Sequence, residues 1–283
     1  EWLKTLGKKQ QWELFAAEYP ALVNKDTELI CYSLQQRLAA SDGAALTEAR
    51  PLWFNTHDLP KNCTPLFEAL TAAGLLTAED VWTRLRLTLE AGNVSVAKHI
   101  NRYLPKDQAL NERKLDEATS NPLRYLDKHR HEINTRADRE VALYALLRLL
   151  RSGTDQAFAY WPKVRERFSP AEQSYFLGHL ASQAARRLDP RALGWFRQAA
   201  TTHPATPLSD TQLAWQTRAA LRAGDWKTVL RSIEAMSAEE QQAGVWRYWK
   251  ARALKTKGRI TEANVLLAPL SSEHNFYGQL AEE

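Results

Sequence analysis

Few side chains in this sequence stand at spacings that do chemistry. Of the seven histidines, His129 and His131 are two positions apart, which turns them to different faces of a helix, and no HExxH pair occurs. Ordinary packing or surface histidines are therefore expected, without a metal site. There is no glycine-rich phosphate loop, no GxSxG elbow and no CxxC pair, so nucleophilic, redox and nucleotide chemistry have no visible basis and no cofactor is expected. The two cysteines, Cys31 and Cys63, lie 32 positions apart, too far and too few for zinc. On spacing alone they read equally well as two buried free thiols or as a disulfide. A bridge closing a loop of that size stabilises a fold by about 3–4 kcal/mol in the chain-entropy picture and belongs to an oxidising compartment such as the periplasm.

The ten tryptophans are the compositional oddity. Trp161, Trp195, Trp226, Trp246 and Trp249 have the shape of sugar-stacking platforms, yet most lie in helical stripes beside turns, where a large ring packs one hairpin on the next. Packing is the expectation, with one or two rings left to line a concave surface. Lys250, Arg252, Lys255, Lys257 and Arg259 form a basic helix end that the macrodipole accounts for. The competing reading is contact with a glycan or peptide carboxylate, for which Arg247, Arg252 and Trp249 are the candidates.

The elements that hold these residues are helical hairpins. The clearest spans residues 244–278: Val245, Tyr248, Trp249, Arg252 and Ala253 recur at three and four, Gly258 breaks the pattern, and a second helix over 259–270 follows, with Pro269 near its end marking a stop or a kink. Turns at Gly153, Asp189-Pro190, Gly224 and Gly258 are 36, 35 and 34 residues apart, the period of a two-helix solenoid of the tetratricopeptide kind. Such hairpins bury their apolar faces only by stacking on neighbours.

Toward the N-terminus the pattern loosens. A turn is expected at Gly7, then helices over 29–40 and 45–54 joined at Ser41-Asp42-Gly43, a loop over 55–62, a helix from Pro65 closed by Gly74, and a hairpin of 78–90 and 96–103 around Gly92-Asn93. Residues 105–115 are weakly periodic. Asn121-Pro122 restarts a helix carrying Tyr125, Leu126 and His129, and a more apolar helix covers 141–150. No domain boundary is visible, so residues 1–283 are expected to form one all-α domain whose clearest repeats lie in 141–283.

Composition agrees. The chain is 44% hydrophobic and 25% charged, poor in glycine and rich in helix formers. Its longest apolar run, Val141 to Leu147, falls far short of the ~20 residues that span a bilayer. The formal charge of +5 favours anionic partners without requiring nucleic acid, and an RNA-binding helical repeat is disfavoured by so modest a charge. The sequence opens without a methionine, a basic segment or an apolar segment, so any signal peptide is expected to have been removed or to lie outside it.

Four segments carry a family resemblance: NCTPLF at 62–67, RLRLTLEAGN at 84–93, WRYWKARALKTKGRITEA at 246–263 and NFYGQLA at 275–281. In order and spacing they resemble the N-terminal superhelical region of soluble lytic murein transglycosylases. The resemblance implies a right-handed α-superhelix of stacked hairpins, curving toward a ring, in a periplasmic enzyme with a separate lysozyme-like catalytic domain. Such enzymes cleave the β-1,4 bond between N-acetylmuramic acid and N-acetylglucosamine and leave a 1,6-anhydro sugar. It also implies a disulfide at the positions of Cys31 and Cys63. The family's catalytic E-S pair and its G-L-M-Q and A-Y-N-A-G motifs are missing, and Glu172, in AEQSYF, is the nearest imitation. A glycosidic acid needs a carboxyl with a raised pKa over a cleft, so the chain is expected to be inactive by itself and to lack the catalytic domain. Its expected partners are peptidoglycan strands and cell-wall synthesis proteins, with no nucleic acid and no membrane span. The alternative is a tetratricopeptide-like protein-binding scaffold of the cell envelope.

Overall fold

A computed structural model describes residues 1–282. Among them are nineteen α-helices, a few single turns of 3-10 helix and no strand, as the composition requires. No helix of these residues is long and apolar enough to cross a membrane. The helices fall into two compact units, residues 1–116 with 136–144 and residues 117–135 with 145 onward.

In the first unit the helices Trp2–Lys8 (α1), Trp12–Glu18 (α2), Thr27–Ala39 (α3), Ala44–Trp53 (α4), Thr64–Ala72 (α5), Ala78–Glu90 (α6) and Val94–Asn101 (α7) pack pairwise along the chain. Glu112–Ser120 (α8), Pro122–His129 (α9) and Arg136–Ser152 (α10) follow. The core of this unit is built around Trp53, which is fully buried and meets Phe67 and Tyr103 edge-on at 5.2 and 5.0 Å. Its Nε1 donates to the Asp80 carbonyl at 3.0 Å, which satisfies the one polar atom such a ring buries. Arg84, 4% exposed, lies 4.5 Å from the same ring and donates to the carbonyls of Asn55 and His57, so a buried cation fastens the long loop to the core. Cys31 on α3 and Cys63, in the turn before α5, are both fully buried and joined by a disulfide.

The second unit continues with Thr154–Tyr160 (α11), Pro170–Arg186 (α12), Ala192–Thr202 (α13), Asp210–Arg222 (α14), Trp226–Glu234 (α15), Ala238–Gln241 (α16), Gly244–Thr256 (α17), Ile260–Ser271 (α18) and Phe276–Glu282 (α19). α12 pairs with α13, α14 with α15 and α17 with α18. α12 also packs on α14, and α15 on α17, so each hairpin covers the apolar face of the one before it. Leu213, Val229, Ile233, Trp246, Leu254 and Leu270 are among the side chains of the shared core.

Among the described residues, one backbone turn recurs seven times. At Gln10, Ser41, Gly74, Gly92, Leu188, Gly224 and Gly258, φ is positive, the residue's N–H donates to the carbonyl three back, and the next N–H donates to the carbonyl five back. This is the Schellman ending, which satisfies the last carbonyls of a helix through one left-handed residue. The turn also corrects one sequence expectation. Gly7 does not break α1: it lies inside the helix, buried, where an added Cβ would run into the Tyr32 ring, so its missing side chain lets α1 approach α3. The turn there falls at Gln10. Gly153 does start a new helix, but with extended backbone at φ −177. Pro269 lies near the end of α18, which closes two residues later at Ser271.

Candidate functional site

In the second unit, α12, α14, α17 and α19 enclose a groove of about 350 Å³. α14 starts at a capping box, in which Ser209 Oγ accepts from the Gln212 N–H and Gln212 Oε1 accepts from the Ser209 N–H at 2.9 Å. With the start of the helix fixed, Trp215 and Arg218, three residues apart, lie on one face. α17 brings Trp246 and Trp249 at the same spacing. Trp246 is 2% exposed and its Nε1 donates to Glu240 Oε1 at 2.7 Å, which holds the ring. α19 adds Tyr277, set by Asn275 Oδ1 accepting from the Gly278 N–H at 3.0 Å. A Cβ at Gly278 would collide with the Glu273 carbonyl, so this close turn requires glycine.

The guanidinium of Arg218 lies 4.8 Å from the Trp215 ring and 5.1 Å from the Trp246 ring, within cation–π range of both. Arg186 approaches the Trp215 ring at 5.5 Å. Arg222, at the rim, donates to the Leu188 carbonyl at 3.0 Å. Among the described residues, no aspartate or glutamate lines the groove. Arg218 is exposed and makes no hydrogen bond or ion pair with the described residues, so its N–H donors are available to a ligand beside the two indoles. Trp215, Trp249 and Tyr277 are half-buried, which leaves ring surface open to a ligand.

The three residues singled out from sequence do not converge. Trp249 lines this groove, beside Tyr248 at 5.2 Å and Trp226 at 6.5 Å. Arg247 is paired with Glu273 at 2.5 Å, and Arg252 donates to the Tyr248 hydroxyl at 2.8 Å. Trp215 and Arg218 escaped sequence reasoning, although the spacing W-x-x-R on a helix, matched by W-x-x-W in 246–249, is the signal that pairs them. Of the other tryptophans named from sequence, Trp161 and Trp195 are buried, as packing residues should be.

Glu172 is the third residue of α12 and completes another capping box: its carboxylate accepts from the Ser169 N–H at 2.8 Å, and Ser169 Oγ accepts from its own N–H. His129 is buried between Glu132 and Glu117, at 2.8 Å from Nδ1 and 3.1 Å from Nε2, while His131 is exposed. Hydrogen bonds from Lys128 and His129 hold the Glu117 carboxyl down at about 2. This clasp ties α8 to α9.

No protein-family profile matches the chain. It is 24% identical over 288 residues to the soluble lytic murein transglycosylase of Escherichia coli K12, and 24% identical over 292 residues to that of Salmonella typhimurium. Each alignment covers 98% of this chain and 43% of the relative, so the chain spans less than half the length of the curated relatives it matches. Among solved structures, an inactive mutant of the lytic transglycosylase Slt from Pseudomonas aeruginosa superposes with a TM-score of 0.65 at 28% identity, over 99% of this chain and 45% of that one. The 70-kDa soluble lytic transglycosylase of E. coli has the same fold over the same span, with a TM-score of 0.55 at 22% identity. The chain is thus homologous, over nearly its whole length, to a part of soluble lytic murein transglycosylases.

Proposed function

We propose that this chain is the non-catalytic superhelical scaffold of a periplasmic lytic transglycosylase. Its stacked hairpins act as one domain that holds glycan strands or their peptide stems. A separate lysozyme-like domain would then cleave the bond between N-acetylmuramic acid and N-acetylglucosamine and leave the 1,6-anhydro product. The observation that carries this reading is the asymmetry of the alignments: nearly all of this chain matches less than half of each enzyme. Glu172 supports it, because its carboxylate is committed as an acceptor at the start of α12, whereas a glycosidic acid must hold a proton over a cleft. The disulfide fits an oxidising compartment. Contact of Arg247, Arg252 or Trp249 with glycan or peptide belongs to the same proposal, with Trp249 best placed for it. Capture of the purified chain on isolated sacculi, run beside immobilised cell-wall synthesis proteins, tests the reading. Retention on sacculi is expected. Retention on the protein baits alone would replace it with a protein-binding scaffold.

A further inference from the structure

We propose that the groove between α14 and α17 binds a pyranose that bears a carboxylate, with Arg218 receiving the acid and the indoles receiving the ring. The inference rests on the peptidoglycan reading for the choice of sugar, and on the groove itself for the chemistry.

Arg218 is the reason for the acid. A guanidinium carries five N–H donors in a plane, and its faces and its edge do different work. Here Trp215 and Trp246 lie within cation–π reach of the guanidinium, and its donors have no acceptor among the described residues. Every other arginine set beside the groove adds positive charge: Arg186 over the Trp215 ring and Arg222 at the rim. With no carboxylate among the described lining residues, the cavity is complementary to an anion. A planar donor edge matches a carboxylate, which accepts two parallel hydrogen bonds from it.

The aromatic walls are the reason for the ring. Trp215, Trp249 and Tyr277 offer flat, half-buried surface next to that cation, and a pyranose has apolar C–H faces and polar edges. Indole rings suit such a ligand because they bury area and keep a polar tip for a hydroxyl or an amide. About 350 Å³ lies at the small end of the range for ligand clefts, which fits a monosaccharide-sized portion of a strand and not a folded partner. N-acetylmuramic acid meets both demands where its lactyl acid is free and carries no peptide stem, and N-acetylglucosamine is the same ring without the lactyl ether.

That pair of sugars makes the test. Ligand-observed NMR titration of the chain with each monosaccharide should give tighter binding to N-acetylmuramic acid by about two- to fivefold, the scale of one solvent-accessible ion pair. Arg218→Gln, at an exposed site, should erase that preference with helicity and melting unchanged, and Arg218→Lys should keep part of it. Equal binding of the two sugars would overturn the role of the acid. A preference that survives Arg218→Gln would overturn the assignment to this groove. Equally tight binding of N-acetylated glutamate, a carboxylate without a pyranose, would overturn the sugar in favour of a peptide. Retention on sacculi that is insensitive to Arg218→Gln, with no monosaccharide bound, would overturn the groove proposal and leave the scaffold reading standing. Loss of sacculus retention by the unaltered chain, with the sugar preference intact, would do the reverse.

Discussion

Reducing the Cys31–Cys63 bridge should weaken the first unit without changing its native shape. The bridge ties α3 to the turn ahead of α5 and closes a loop of 32 residues that contains α4 and the long connection after it. Hydrogen bonds already dock the same two segments: Asn62 Nδ2 donates to the Glu28 carbonyl at 2.8 Å, and Gln35 Nε2 donates to the Asn62 carbonyl. The native contact therefore persists once the sulfurs part, and the main effect falls on the unfolded chain, which regains the freedom of the opened loop. The chain-entropy relation gives about 3–4 kcal/mol for a loop of this length. With a urea m-value of about 1–3 kcal/mol/M, the midpoint for the first unit should drop by about 1–4 M. Urea titrations followed by circular dichroism, with and without reductant, measure this. A drop below about 0.3 M, or loss of native helicity on reduction before any urea is added, would refute the reasoning.

Gly7→Ala should destabilise the first unit by about 1–3 kcal/mol, since the new methyl group overpacks against the nearly buried Tyr32 ring; a thermal melt unchanged from that of the parent chain would contradict the close approach of α1 and α3. The Glu117 clasp should respond to acid. Its carboxyl sits at about 2 when folded, against an ordinary 4.5. The folded state therefore binds its proton less readily than the unfolded state, and its contribution is present above 4.5 and lost as the pH falls toward 2. Glu117→Gln should melt lower than the parent at neutral pH, and the two curves should converge near pH 2. A constant gap across that range would exclude the carboxylate as the cause.

Local pattern made much of the fold legible. α6 occupies residues 78–90 as its stripe of Val81, Trp82, Leu85 and Leu89 indicates, and all four side chains are buried. Gly74, Gly92, Gly224 and Gly258 all proved to be left-handed turn residues, because a Schellman ending needs a positive φ that glycine adopts without strain. The same turn at Gln10, Ser41 and Leu188 lacks that compositional mark, and Leu188 shows that even a branched side chain takes the left-handed geometry. Gly7 misled for the converse reason. Its signature in sequence is that of a breaker, but its cause is the ring of Tyr32, 25 positions away. The groove was half legible: Trp246 and Trp249 stood out, but the pairing of Arg218 with Trp246 and of Arg247 with Glu273 joins residues far apart in sequence, which no local spacing encodes.

Incubation of the purified chain with isolated sacculi, followed by separate quantification of the bound chain and of the soluble muropeptides, tests the scaffold proposal most directly. The account predicts that the chain is retained on the sacculi, that no 1,6-anhydromuramoyl product is released, and that Glu172→Gln changes neither result. Release of anhydro products that Glu172→Gln abolishes, or failure of the chain to be retained, would contradict it.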